Sequence, residues 1–361
     1  MYLPASHSTT LLIVILAAIC WGSWANTQKL ARRRRYELYS YDFILGLLAI
    51  SAAAAFTFGS MNTGELTFQE NLLVTGYRNI AWALGAGMVF SIGYAFLTAS
   101  VSVSGLAVAF PVSMGMAVVV GAAWDFTTGI QKSVLLEMSG SLLVLIAIAI
   151  VAYAYGSHLD HLLAALKQPA FRPDPRARPA GPKPSRPASA AQAPPSAAQA
   201  IVLGVISGFA FGFVRPLVEN ARSGDNGVAP YSLALLLGGG MLAMTLMLTP
   251  FLFNFPVSGA PLGLRDLASG SAVQHFFGIL GGVMAGASLL GGFVVAAVPG
   301  ADGVAPGLGY AIAQSGTVLA ALWGLLAWRE FGSASARVRT LFAVALILFA
   351  LGVGMLSVVQ T

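Results

Sequence analysis

The residues of this chain best placed to do chemistry are polar and aromatic side chains set deep inside long apolar runs. Trp21, Trp24 and Asn26 fall in one run, Tyr94 in another, Ser113 in a third, and Gln314, Ser315 and Thr317 in a fourth. Burying an unpaired amide or hydroxyl costs several kcal/mol, so each of these groups must meet a neighbouring helix or a bound solute. The chemistry they offer is recognition: aromatic faces stack on planar or sugar-ring ligands, while Asn and Gln both donate and accept. These eight residues form the candidate substrate site. The competing assignment is structural, with Trp21 and Trp24 as packing and Asn26 and Gln314 as bonds between helices.

Charges well inside an apolar run occur once, at Arg215 and Glu219, four residues apart and so on one helical face. An intramembrane charge is a functional hypothesis by default. At about 1.5 Å per residue, Arg215 lies some 20 to 25 Å along a ~30 Å core, within snorkelling reach of the surface. The pair reads as an outer gate or protonation site, or as an anchor. Asp42, Asp125 and Glu330 stand at run ends, where they can tether helix ends or loop arginines. Asp42 and Glu330 join Arg215 and Glu219 as coupling or gating candidates.

The elements that position these residues are stretches of roughly 20 apolar residues, each able to cross a bilayer core of about 30 Å. They fall at about Leu11–Gln28, Phe43–Gly59, Ile80–Val101, Gly105–Trp124, Met138–Gly156, Ala200–Glu219, Ser232–Phe255, Phe276–Val298, Gly303–Trp328 and Thr340–Val359. With 57% hydrophobic and 9% charged residues, 361 residues carry too little polar surface to coat a soluble globule. Helices are the economical reading, because lipid cannot satisfy a free backbone and the runs lack the alternation of barrel strands. The first run follows no basic segment and is polar in its second half, so it is expected to stay in the mature protein.

Placing both termini outside puts 15 of the 19 Lys and Arg residues in cytoplasmic loops, as the positive-inside rule requires. The net charge of +6 is then a topology signal and calls for no nucleic acid. Cys20 is the sole cysteine, so no internal disulfide can form. Enzyme signatures are missing: there is no His-Glu-x-x-His, no Gly-x-Ser-x-Gly and no phosphate-binding loop. An aspartyl pair of Asp42 and Asp302 would lie at opposite surfaces. His158, Asp160 and His161 give no complete metal set and read as an interfacial amphipathic turn. No catalytic residue, metal or cofactor is expected.

Residues 157–199 break the pattern, with nine of the 18 prolines between Pro169 and Pro195. Such a segment cannot bury enough apolar surface to offset its ordering entropy, and a disordered cytoplasmic linker is expected. It divides residues 1–156 from 200–361, five spans from five. Five is odd, so repeated halves must sit upside down relative to each other. Tyr39-Ser40 before Gly46 is echoed by Tyr231-Ser232 before Gly238. Leu84-Gly85 with Met88 returns as Leu280-Gly281 with Met284, and Ala123-Trp124-Asp125-Phe126 as Ala327-Trp328-Arg329-Glu330-Phe331. Small residues at Gly278, Gly282 and Gly286, and at Gly85, Gly87, Ser91 and Gly93, suit close helix packing. The expected fold is an all-α membrane protein of ten transmembrane helices in two inverted five-helix repeats.

Several motifs resemble those of the ureide permeases, in the drug/metabolite transporter superfamily with the rhamnose-proton symporter and glucose/ribose porters. Gly22-Ser23-Trp24 resembles that family's Gly-Thr-Trp, Asp42 its aromatic-flanked aspartate, and Ser91-Ile92-Gly93 its Ser-Ile-Gly. Gly105-Leu106-Ala107-Val108 and Val118-Val119-Val120-Gly121 resemble its fourth span. Gln314, Trp323-Gly324 and Glu330 before an aromatic reproduce its ninth. Plant members carry an Asn and two acids where this chain has Tyr94, Phe110 and Ala311. The resemblance implies proton-linked uptake of a small, mostly neutral solute such as a ureide, nucleobase or sugar, by alternating access. An exporter of the same superfamily, a non-transporting scaffold and, distantly, an intramembrane enzyme are the alternatives. Expected partners are the solute, H+, membrane lipid and a second copy of the chain, in a plasma or bacterial inner membrane.

Overall fold

The computed structural model describes residues 1–32, 34–62, 65–129, 133–167, 196–257 and 259–359. Among them, ten apolar helices are long enough to cross a membrane: His7–Leu30, Tyr36–Ser60, Tyr77–Ser104, Leu106–Thr128, Val134–Ala165, Ala197–Arg222, Pro230–Asn254, Ala272–Val295, Gly300–Ala327 and Ala336–Val359. These are spans 1 to 10, and each overlaps the run read from the sequence. Most start a few residues early, and in spans 1, 6 and 8 a polar cap carries the helix beyond its apolar stretch. Ser6, Ser196 and Ser271 accept bonds from the backbones of Thr9, Gln199 and Gln274, and so satisfy first-turn donors.

Residues 157–167 correct one boundary. They continue the helix of span 5 to Lys167, since leucines and alanines follow and no proline intervenes before Pro169. His158 and His161 therefore lie on that helix, and the His158 ring sits 5.0 Å from Phe331. The proline-rich stretch 168–195 lies outside the described residues.

Two spans are irregular. Span 1 is interrupted between Ser23 and Asn26, and span 9 ends in a π-turn at Trp323–Ala327. Spans 3 and 4 are joined by Gly105 alone, at φ +84° and ψ 179°, a backbone region that only glycine enters readily.

His7 Nδ1 lies 2.9 Å from Gly303 O, and Tyr231 OH donates to Tyr2 O at 3.0 Å. Val359 shares a cavity wall with Asp125 and Tyr310. The first and last described residues thus lie at one end of the bundle, here the termini end. Span 3 packs on 6 and 7, and span 4 on 5 and 6; adding five to each number, in the cycle of ten, gives 8 on 1 and 2, and 9 on 10 and 1, which are also packed pairs. Backbones touch where spans 2 and 8 cross: a Cβ at Gly282 would fall 1.8 Å from Phe43 O, and one at Gly46 2.0 Å from Ile279 O. Spans 3 and 7 cross as closely, at Gly87 and Gly240. Gly85 faces open space and takes no part.

Candidate functional site

A cavity of about 370 Å³ lies between spans 1, 8 and 9 on one side and 3, 4 and 6 on the other. Its walls run from mid-membrane toward the termini end. Trp21, Phe90 and Phe211 form the floor, with Trp21 6.2 Å from Phe90 and 6.4 Å from Phe211, and Phe90 5.1 Å from Phe211, all edge-on. Gln314 faces the cavity from span 9, and its amide is unbonded by any described residue. Arg215 and Ser288 supply the other polar groups. A volume of this size suits a small solute, and its apolar walls with few polar groups match common ligand sites.

Beneath the floor the bundle is closed by a buried aromatic plug. The Trp24 ring lies 5.0 Å from Phe43, 5.6 Å from Tyr94 and 5.9 Å from Phe110, and Phe43 stacks on Tyr94 at 4.2 Å. All four rings are buried, yet Trp24 Nε1 has no hydrogen-bond partner among the described residues. Below the plug, Glu330 accepts from the backbone N–H groups of Leu106 and Ala107, both at 2.8 Å, and pairs with Lys29. Its carboxylate thus caps the positive end of the span 4 helix while holding span 1. Lys29 also lies 5.2 Å from the Trp328 ring centre. Gly105 and Gly324 make room for this clamp, since a Cβ on either would fall 2.5 Å from a Glu330 carboxyl atom.

Toward the termini end a second cavity of about 130 Å³, which shares Phe211, Arg215 and Gln314 with the first, holds the charged groups. Arg215 Nη1 donates to Asp125 Oδ2 at 3.0 Å, and its Nε to Glu219 Oε1 at 2.7 Å. Glu137 lines the same space, is 4% exposed, and has one oxygen, Oε2, without a hydrogen-bond partner among the described residues. Tyr310 of span 9 completes this wall.

Of the residues singled out in the sequence, Trp21, Gln314 and Arg215 line the cavities, and Glu219 exposes its carboxylate beside Arg215. Trp24 and Tyr94 lie in the plug, one layer deeper. Asn26 is placed outside the cavity: its Nδ2 donates to Ser23 O at 2.9 Å and its Oδ1 accepts from Trp328 Nε1 at 2.7 Å. Ser113 is likewise spent on packing, 2.7 Å from the Ser207 hydroxyl, which donates to Gly93 O. Ser315 donates to Ile312 O on an exposed face, and Thr317 is buried away from the lining with its hydroxyl unpaired among the described residues. Asp42 sits at the far end, 2.8 Å from Arg34 Nε and 2.8 Å from His275 Nδ1. Sequence reasoning missed Glu137 because it stands just before the apolar run of span 5. It also missed Phe90 and Phe211, whose type does not separate floor from core.

No protein-family model matches the chain. A stretch of 128 residues is 26% identical to Ureide permease 3 of Arabidopsis thaliana, covering 35% of this chain and 37% of that protein. The match thus spans little more than a third of the relative's length. A solved crystal structure of a protein 16% identical in sequence superimposes with a TM-score of 0.50 over 98% of both chains, which is a likeness of fold. Ten apolar helices together with the permease similarity support an integral membrane protein of transporter type.

Proposed function

We propose that this chain is a secondary carrier that moves a small, mostly neutral, hydrogen-bonding solute by alternating access, coupled to protons. The observation that carries this reading is the cavity, which runs from mid-membrane toward the termini end and is backed at the other by the plug and the Glu330 clamp. The two groups of spans that flank it, 1, 8 and 9 against 6, 3 and 4, are exchanged by the five-span shift, as two inverted halves rocking on each other require. Inverted repeats and an outward placement of both termini belong to the same proposal. On that placement the cavity faces outside, as uptake demands.

The lining argues for the solute class. Ring edges and faces suit a flat molecule, and the Gln314 amide can pair with a solute amide in both directions. The Arg215 charge is balanced by Asp125 and Glu219, so the site asks for no strong anion. A ureide fits this description, as the name of the similar plant protein also suggests. Glu137 is the proposed proton acceptor, with Asp125 from span 4, Arg215 and Glu219 from span 6 and Tyr310 from span 9 around it.

Proteoliposomes preloaded with unlabelled allantoin, uracil or glucose test this. Labelled counterpart of one of them should accumulate transiently above equilibrium, and acid outside should stimulate net uptake. Glu137→Gln should keep the exchange and lose the acid stimulation. Uptake at the rate of empty liposomes for all three solutes would overturn the carrier reading; acid stimulation surviving Glu137→Gln would overturn the proton assignment alone.

A further inference from the structure

Spans 9 and 10 part toward the end opposite the termini and leave an apolar groove of about 870 Å³ on the outer surface. Leu322, Leu326, Leu346 and Ile347 line it, and Leu326 and Ile347 are 70% and 60% exposed, so the groove faces the surrounding membrane. Its polar end is formed by Arg329 and Arg339. No carboxylate lines the groove, and neither guanidinium meets an acid or a hydrogen-bond acceptor among the described residues. The nearby Arg337 differs: it donates to Tyr153 OH at 3.3 Å and stands outside the lining.

The backbone sets Arg329 in this position. It is the extra residue in Ala327-Trp328-Arg329-Glu330-Phe331 compared with Ala123-Trp124-Asp125-Phe126, and it takes a positive φ of 49° after the π-turn. An arginine rarely adopts that conformation. The turn is held by Glu330 N donating to Gly324 O at 3.1 Å and Gly332 N donating to Arg329 O at 2.9 Å. Glu330 goes inward to its clamp, and Arg329 is left at the groove.

From this arrangement we propose that the groove is a binding site for an anionic glycerophospholipid. The headgroup phosphate lies between Arg329 and Arg339, and one acyl chain runs along Leu322, Leu326, Leu346 and Ile347. Two cations unpaired among the described residues, at one end of an apolar channel, call for an amphiphile whose negative charge sits at its head. Length agrees: Val318, the far lining residue on span 9, is eleven residues from Arg329, about 16 Å of helix. That is about half of the ~30 Å hydrocarbon core, the depth of one leaflet. Basic pockets between spans are recognised headgroup sites. The site stands independently of the carrier reading, and a bound lipid would brace the corner that carries Glu330.

Native mass spectrometry of the full chain in uncharged detergent, titrated with phosphatidylglycerol and phosphatidylcholine of matched chains, tests the proposal. Wild type should retain phosphatidylglycerol preferentially. Arg329→Gln and Arg339→Gln should each weaken it about five-fold, the effect of one near-surface arginine on an anionic lipid. Arg337→Gln should leave it unchanged, and Ile347→Trp, which fills the groove, should remove it with both arginines present. Arg339 lies on an exposed helical turn, so Arg339→Gln reports even if Arg329→Gln fails to fold. Equal loss in Arg337→Gln would show a diffuse basic belt and overturn the site. So would full retention in Arg339→Gln, or displacement of the lipid by inorganic phosphate alone.

Discussion

Gln314 and Asn26 are both amides set in apolar helices, and their surroundings give them opposite roles. The Asn26 amide is used on both sides, by Ser23 O and Trp328 Nε1, whereas that of Gln314 faces the cavity with no bond to a described residue. Removing a hydrogen bond to a neutral solute costs about 0.5–1.5 kcal/mol, or roughly a two- to ten-fold change. Gln314→Ala should therefore lower solute uptake by about that factor and leave the melting temperature alone. Asn26→Ala should do the reverse, because Trp328 Nε1 loses its acceptor at a cost of about 1–3 kcal/mol, or several degrees. Kinetics and thermal unfolding of the two variants side by side check this; matching profiles would remove the distinction between lining and strut. The residue types were legible in the sequence, but the partners were not. Which amide is free depends on which helix lies beside it, and composition carries no such information.

Among elements, the spans were readable because the bilayer imposes their length and apolarity, and capping serines account for the early starts of spans 1, 6 and 8. What hydropathy could not reveal is where helices break. The interruption after Ser23 and the π-turn at Trp323–Ala327 lie in spans 1 and 9, the two that bring Lys29 and Glu330 to the start of span 4. One trace was visible, the extra residue between Trp328 and Glu330 compared with Trp124 and Asp125. The clamp needs two glycines, and Gly105→Ala offends twice. Its Cβ would meet the Glu330 carboxyl carbon at 2.5 Å, and its φ of +84° with an extended ψ costs a substituted residue about 1–3 kcal/mol. A melting temperature several degrees below wild type is expected. Because Glu330 is the group displaced, Glu330→Ala in the Gly105→Ala background should add less than it does alone. Full additivity in this cycle would mean that glycine and glutamate act apart.

At the scale of the whole molecule, a carrier must open the Glu330 end only as the termini end closes. The clamp opposes opening, since two N–H bonds to a carboxylate and an ion pair each contribute on the order of 1.5–3 kcal/mol. A ligand or a mutation can shift such an equilibrium only by its differential effect on the two states. On the proposed carrier cycle, Glu330→Ala removes contacts that hold the Glu330 end closed, so it should populate the opposite opening. Cysteine labelling in a Cys20→Ser background reads both ends. Ala313 lines the cavity, while Ala25 lies fully buried beside the plug. With the clamp intact, an impermeant maleimide added at the termini side should label the Ala313→Cys variant and leave the Ala25→Cys variant untouched from either side. With Glu330→Ala, the Ala25→Cys variant should react from the opposite side and labelling of the Ala313→Cys variant should slow several-fold. The coupled slowing is the decisive part. If the buried position opens while Ala313→Cys reacts as fast as before, the two ends move independently, and the bundle is a leaky pore instead of two halves rocking about one site.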